Sequence, residues 1–513
     1  MYPIFQFSTR SVARKGIQPF QFLCLLWLGI TLGQTTIHAE ETQEVYSYDK
    51  HIVVLKVYFQ EYDWLLPWNK KSVGARQGAA IVVGPHQLLT TAQMVNSRTL
   101  IQVRHPDKAK TWEGLLTRID ASINLALLDV ADEEFWKNLE PVSWGEANTG
   151  PVMLTQIKSV RNLKTIPGTI TRLSMGFRPY SRLHQPIMFI EGSNFHHADG
   201  HGVFEGQTLT GMAVQSANNG LEALPSFYLQ TFLQKAQQHP YSGFPNRGFT
   251  WQKIADDSIR DYHQIPQDQE GVWINRVLHG GVGTDVLQPK DFLTGINEWN
   301  ISNEGNISHP QWGDVLFDYL LTDSLAQQTQ ATFHVIRQGK PMTLQGKVTR
   351  LSEADYYIPL ENAEQPPTYV LRGGLLFQPL TMDYLTLWGN NWNAKAPLRL
   401  RLFAQLDEFL SENKNRHIIL LTRVLPDPIN IGYQDLSNMV VTEINGKSIQ
   451  TIQDVVSAFD SPSGAFHQIR FLPGDERMNL VLPVSDLPQA DQRILQLYQI
   501  PQSQQIPPND ATP

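Results

Sequence analysis

Between residues 51 and 130 the chain is written in short apolar runs: HIVVLKVYF, GAAIVVG, HQLLTTA, TLIQVRH and INLALLDV. Each run is too short for a stable helix, is rich in Val, Ile, Leu and Thr, and is broken by Gly, Pro or Asn. That is the grammar of strands. Strands at such close spacing close into a barrel or pack as a sandwich. The pattern continues to TLTGMAVQ at Thr208 to Gln215 and ends in PSFYLQTFLQKAQQ, a helical stretch that stops near His239. HPYSGFPNRG then reads as a joint between domains. Beyond it GVWINRVLHGGVGTDVLQPKDFLTGINEWNI has a strand, a Gly-rich turn, a short helical piece and another strand. The later HIILLTRVLPDPINIGYQDLSNMVVTEINGKSIQTIQDVVSAF repeats that order, so two copies of one small α+β domain is the economical reading.

A chain of 513 residues suits two to four domains. Its net charge of -8, with no long run of Lys and Arg, excludes the electrostatic footprint of a nucleic-acid binder. Arg10, Arg14 and Lys15 precede the apolar PFQFLCLLWLGITLG, and Ala39 follows at a plausible cleavage position. Basic, then apolar, then small is the order of a secretory signal, and the apolar core is shorter than the roughly 20 residues of a spanning helix. Export to the periplasm or medium is the expectation, with a retained anchor as the alternative. Cys24, the single cysteine, lies inside this stretch, so the mature chain has no thiol for a disulfide, a cysteine nucleophile or a Cys-based metal centre. The expected division is a signal peptide at 1–39, a strand-rich domain at 41–240, small domains at 244–352 and 356–488, and a disordered polar tail at 489–513.

Five segments together give the barrel a family likeness: LPWNKK with GAAIVVGPHQLLTTAQMV, DASINLALLDV, PGTITRL and IEGSNFHHADGHGVF. They resemble, in order, the segments of the HtrA/Deg family of serine proteases. FPNRGFTWQ and GGLLFQPLTMDYL are similar to the starts of the two PDZ domains of its plant-type branch. The resemblance covers nearly all of the mature sequence. It implies a mostly β fold, a chymotrypsin-like (trypsin-like) double β-barrel followed by two α+β PDZ domains. It also implies trimer-based homo-oligomers, with Tyr46 and Tyr48 among the aromatic residues before the first strand.

The positions that should carry chemistry depart from the family pattern. The His of T-N-A-H is Gln93 in TTAQ, the orienting carboxylate is Asn124 in SINLALL, and the Ser of G-N-S-G-G-P is Asp199 in HADGHG. His197 stands where the oxyanion hole needs a Gly. Hydrolysis needs a hydroxyl whose proton is taken by an imidazole held by a carboxylate. Gln93 has no titratable nitrogen, Asn124 no charge, and an ionised Asp199 would set negative charge beside the oxyanion position. Loss of a whole triad costs on the order of a million-fold in turnover. The expectation is a pseudoprotease.

Three rivals stand beside it. A triad could be rebuilt from Asp120, Asp129, Ser122, Ser193 and His86, giving a working serine endopeptidase with unconventional residues. His196, His197, Asp199 and His201 could hold a metal, although four ligands in one hexapeptide close a tetrahedron poorly. The third is a solvated polar loop. No cofactor is implied. For peptide binding, Arg247, Gly248, Phe249 and Thr250 would form the carboxylate loop of the first PDZ domain, or serve only to pack its strand. Arg372, Gly373, Gly374 and Leu375 are the corresponding loop of the second, which could bind a neighbouring subunit. GGVG at Gly280 to Gly283 lacks the spacing of a phosphate loop and reads as a turn. The implied partners are unfolded or extended polypeptides and active HtrA/Deg relatives.

Overall fold

The computed structural model describes residues 47–506 apart from 107, 160–161, 177–182, 194, 196–198, 218–219, 255, 279, 351–355, 361–364, 390, 407–415 and 475–478. The signal segment 1–39, Cys24, Tyr46, His196 and His197 lie outside the described residues.

The apolar runs of the first hundred and fifty residues become strands of one seven-stranded sheet, in the spatial order 112–113, 98–104, 52–59, 74–84, 87–90, 125–129 and 115–120. Its first and last members are joined through Gly114, so the sheet returns on itself. Val53, Leu55, Val57, Ala80, Val82, Leu88, Leu128 and Phe135 fill its interior. A second seven-stranded sheet closes differently. Val203 pairs with Leu154 on one side and with Gly211 on the other, so the strand Gly202–Glu205, at one end of the sheet, closes it onto the strand Thr208–Ala217. Tyr48 packs at 4.3 Å on Phe204 and donates its hydroxyl to Gly206 O at 2.7 Å, fastening the start of the described chain to this second barrel. A mostly β, chymotrypsin-like double barrel is the result.

Two α+β modules follow. In the first, strands at Phe249–Gln252, Val272–Val277, Phe292–Ile296, Gln330–Arg337 and Lys340–Lys347 form a sheet in that order. Its core of Phe249, Val272, Ile274, Leu293 and Phe333 is continuous with that of the second barrel, through Leu154, Ile170 and Met188. Gly280, Gly281 and Gly283 all have positive φ in the connecting turn. In the second module seven strands run in the order 479–483, 466–471, 439–444, 419–424, 375–379, 369–372 and 504–505, with helices at Ile452–Phe459 and Leu487–Leu497.

The polar tail expected to be disordered from 489 is ordered as far as 506. Leu487, Ala490 and Ile494 lie on one face of the helix Leu487–Leu497 and are buried, and Gln504–Gln505 pairs with Tyr369–Val370. Three small or aliphatic residues at helical spacing suffice to dock it, and their polar neighbours hide the stripe.

Candidate functional site

Gln93 and Asn124 are joined within the first barrel, and Asp199 lies in the second barrel where its backbone touches the first. Thr91 caps a single helical turn, Ala92–Val95, by accepting from Met94 N at 3.3 Å. Ala92, Met94 and Val95 are buried, which leaves Gln93 as the exposed residue of the turn. Asn124 follows a short 3-10 turn in the left-handed conformation, φ 56 and ψ 40, which asparagine tolerates better than most residues. Its Oδ1 accepts from Gln93 N at 2.9 Å and its carbonyl from Ala92 N at 3.2 Å. The two positions expected to stand for base and carboxylate are therefore joined, but through a backbone N–H and an amide oxygen.

Arg76 holds the other end of the turn. Its Nη1 donates to Gln93 O at 2.6 Å and to Asn96 O at 3.1 Å, while the guanidinium lies 3.9 Å over the Phe59 ring and pairs with Glu61 at 3.3 Å. Asp199 comes from the second barrel. Its carbonyl accepts from Ala79 N of the first barrel at 3.1 Å, and Gly200 N donates to Ala213 O at 3.0 Å. Gly200 has φ +78, and a Cβ there would stand 2.0 Å from Ala79 O, so only glycine fits this crossing.

The candidates for a rebuilt triad go to separate partners. Ser122 Oγ donates to Asp120 at 2.6 Å, and Asp120 also accepts from the Tyr241 hydroxyl at 2.6 Å. His86 pairs instead with Asp129 at 3.1 Å and Glu133 at 3.3 Å. Ser193 is exposed. Of the metal candidates, Asp199 is half-buried and His201 buried. Among the described residues no three His, Cys, Asp or Glu side chains are grouped as a metal would need.

In the first module Phe249 and Thr250 are buried, and Phe249 stacks on Phe317 with ring centroids 6.0 Å apart. A Cβ on Gly248 would meet Val282 O and Thr284 Oγ1 at 2.5 Å, so the GGVG turn closes over it. Arg247 Nη1 donates to both oxygens of Asp318, at 3.0 and 2.8 Å, and Nε donates to Phe249 O at 2.9 Å. Asp318 is fully buried and is also reached by His184 Nδ1 at 3.0 Å. Burial alone pushes this carboxyl up. The Arg247 charge and the His184 hydrogen bond outweigh that and hold it below the ordinary carboxylate value. In the second module Gly373 N donates to Asp491 Oδ1 at 2.5 Å, and Asn430 Nδ2 donates to Gly373 O at 2.8 Å. Burial raises the Asp491 carboxyl.

Arg76, Asp318 and Asp491 had no local signal in the sequence. Asp318 sits in the ordinary helical text LFDYLLT and meets Arg247 from 71 positions away.

A closed double barrel followed by a PDZ domain defines an HtrA/Deg-type serine-protease-like fold. A PDZ domain family model matches residues 358–505, which reaches past 488 to include the helix and strand of the former tail. Over 423 residues the chain is 25% identical to Protease Do-like 2, chloroplastic, of Arabidopsis thaliana, covering 79% of this chain and 67% of that relative. It is 21% identical over 517 residues to Putative protease Do-like 11, mitochondrial, of the same plant, covering 96% and 83%. Among solved structures it is similar to the HtrA-type protease AlgW with decapeptide, at TM-score 0.44, 14% identity, and 59% and 97% coverage. The serine endoprotease from Yersinia pestis aligns at TM-score 0.39 and 16% identity, over 60% of this chain and 99% of that one.

Proposed function

We propose that the protein is an exported HtrA/Deg-like pseudoprotease that binds unfolded or extended polypeptides in protein quality control, alone or as a regulatory subunit of active relatives. In this reading residues 244–352 are a further PDZ-like module, with Arg247, Gly248, Phe249 and Thr250 beside its peptide strand, and the chain assembles as trimer-based homo-oligomers. The observation that supports it is that Asn124 Oδ1 accepts from the Gln93 backbone N–H, with amide side chains at the two positions where an imidazole and a carboxylate would be needed. Neither side chain can take a proton from a nucleophile, and Asp199 is a poor nucleophile toward an amide. Meanwhile the frame around them is kept: Gly200 at the barrel crossing and the buried Leu125 to Leu128 strand.

Turnover of a quenched fluorogenic casein tests it. The native chain is expected to be inactive, and the triple variant Gln93→His, Asn124→Asp, Asp199→Ser to gain activity that Asp199→Ser alone does not. Turnover by the native chain that disappears in Asp199→Ala defeats the reading. N-terminal sequencing of the protein recovered from the expressing cell tests export, with a start near Glu40 as the expected result.

A further inference from the structure

We infer that Lys235 and Arg350 form a binding site for a small phosphate-class dianion, free phosphate or a phosphomonoester, at the joint that follows the second barrel. The inference does not depend on polypeptide binding.

The site is assembled from four segments far apart in the sequence. Lys235 lies in the last turn of the helix Ser226–Ala236. Tyr241, Gly243 and Phe244 belong to the joint HPYSGFPNRG. Arg118 and Asp120 lie at the end of the strand Leu115–Asp120 of the first barrel, and Arg350 follows Lys340–Lys347, the last strand of the first module. Aromatic rings hold the segments together. Phe232 of the helix meets Tyr241 edge-on with centroids 6.4 Å apart, and Tyr228 packs at 4.9 Å on Phe244. The Tyr241 hydroxyl donates to Asp120 Oδ2 at 2.6 Å, and the Arg118 guanidinium lies 5.1 Å over the Tyr241 ring. Gly243 leaves the space between Asp120 and Arg350 open, since an added Cβ would stand 3.6 Å from Asp120 Oδ2 and 3.8 Å from Arg350 Nη1.

The cations of this cluster lack acceptors. Lys235 is only 4% exposed, yet among the described residues its ammonium has no hydrogen bond and no ion pair, only the face of Phe244 at 5.6 Å. Arg350 is half-buried, and its guanidinium likewise has neither. Arg118 Nε is buried without a hydrogen-bond partner. The neighbouring carboxylate, Asp120, is already engaged: Oδ1 accepts from Ser122 N at 3.0 Å and Ser122 Oγ at 2.6 Å, and Oδ2 from Tyr241. Burial, and after it the Arg350 charge, push the Lys235 ammonium down to about 8. Burial lowers Arg350 too, in spite of Tyr241 and Asp120 beside it. Two neighbouring cations kept out of water without a counter-charge cost stability. An anion between them reverses that cost, because it gives both an acceptor behind aromatic walls that strengthen the attraction.

Charge selects the ligand. Arg118, Lys235 and Arg350 against Asp120 leave two positive charges unmatched. A phosphate group near neutral pH carries about -1.5 to -2 and meets them. The guanidinium offers paired N–H donors to its oxygens, and the lysine a point charge. With Lys235 this deeply buried, the phosphate itself makes the contact and any substituent points away.

The test titrates the full chain, purified without phosphate, with sodium phosphate in a calorimeter, ionic strength being held constant with sodium chloride. Two charge-assisted partners give an expected Kd on the order of 1 mM or tighter. Lys235→Met and Arg350→Gln should each weaken binding about tenfold or more, whereas Lys340→Met, which removes an exposed lysine, should bind as the native chain does. Lys235→Met loses a buried charge and should melt in chloride at least as high as the native chain, so that its loss of binding is not a loss of fold. Phosphate should raise the melting temperature of the native chain, leave that of Lys235→Met unmoved, and slow amide exchange at 232–244 in the native chain. O-phosphoserine in the same titration separates the sources: tighter binding than inorganic phosphate assigns the site to a monoester, and equal or weaker binding to the free ion. Absence of phosphate binding by the native chain overturns the site. Equal affinity in all four proteins overturns it as well, because phosphate would then sit elsewhere.

Discussion

Lys235 lies buried against Phe244, its Nζ 5.6 Å from the ring. Burial, aided by the nearby Arg350 charge, pushes its ammonium down to about 8. The unfolded chain holds that proton up to the ordinary lysine value, so the native state binds fewer protons between the two. Stability should therefore rise with pH through that window. Lys235→Met removes the buried charge and should stabilise the protein at pH 7 by roughly 1–3 kcal/mol. In urea melts at pH 7 and pH 10 the gap between variant and native chain should shrink at the higher pH. A gap that widens would mean the lysine is stabilised where it sits. Gly200 gives a second test at this scale. Gly200→Ala should cost roughly 3 kcal/mol or more, because its Cβ meets the Ala79 carbonyl, whereas Gly206→Ala, also at positive φ but with open space around it, should cost about 1 kcal/mol. Equal losses in thermal melts would show that backbone conformation, not the barrel crossing, sets the requirement. What could be read at single positions was chemical identity. Gln93, Asn124 and Asp199 were legible because each lacks or carries a proton by its nature. Arg247's pairing with Asp318 was not, because it is made by folding.

Short elements here depend on distant side chains. A four-residue turn such as Ala92–Val95 does not hold itself, since nucleation costs more than one turn returns. Arg76 and Asn124 tie it at both ends. The strands were legible because alternation and β-branching carry over directly to a pleated sheet. The helix Leu487–Leu497 was not, because its polar text obscured three inward positions and because its polar anchors lie far away, Asp491 on Gly373 N and Arg493 on Asp427 at 2.7 Å. A chain ending at Asp486 should lose the burial of Leu487, Ala490 and Ile494 and uncover Leu376 and Leu371. The cost is about 4 kcal/mol at ordinary transfer values. Trypsin should then cut within 358–486 in the truncated chain and spare the native one. Equal resistance would show that the helix is an appendage.

Across the whole molecule, the first module and the second barrel share one core, and Asp318 is the ionic centre of that junction. It is buried between Arg247 of the module and His184 of the barrel. A buried ion pair is poor evidence of net stability, yet removing one partner leaves the other charge unpaired and costs roughly 3–5 kcal/mol. Asp318→Asn should therefore loosen the junction at neutral pH. Because the native carboxyl is held below its ordinary value, the native state binds fewer protons than the unfolded chain in the acid range. Its contribution is complete above the unfolded value of about 3.9 and is lost as pH falls through the lower native value. Hydrogen exchange at 249–252 and 319–322 provides the measure across the range. The native chain should exchange slowly at pH 7 and approach the Asp318→Asn rate, corrected for intrinsic exchange, as pH drops below about 4. A constant ratio between the two proteins over that interval would mean that Asp318 titrates alike in the folded and unfolded chain, and that shape, not charge, joins module to barrel.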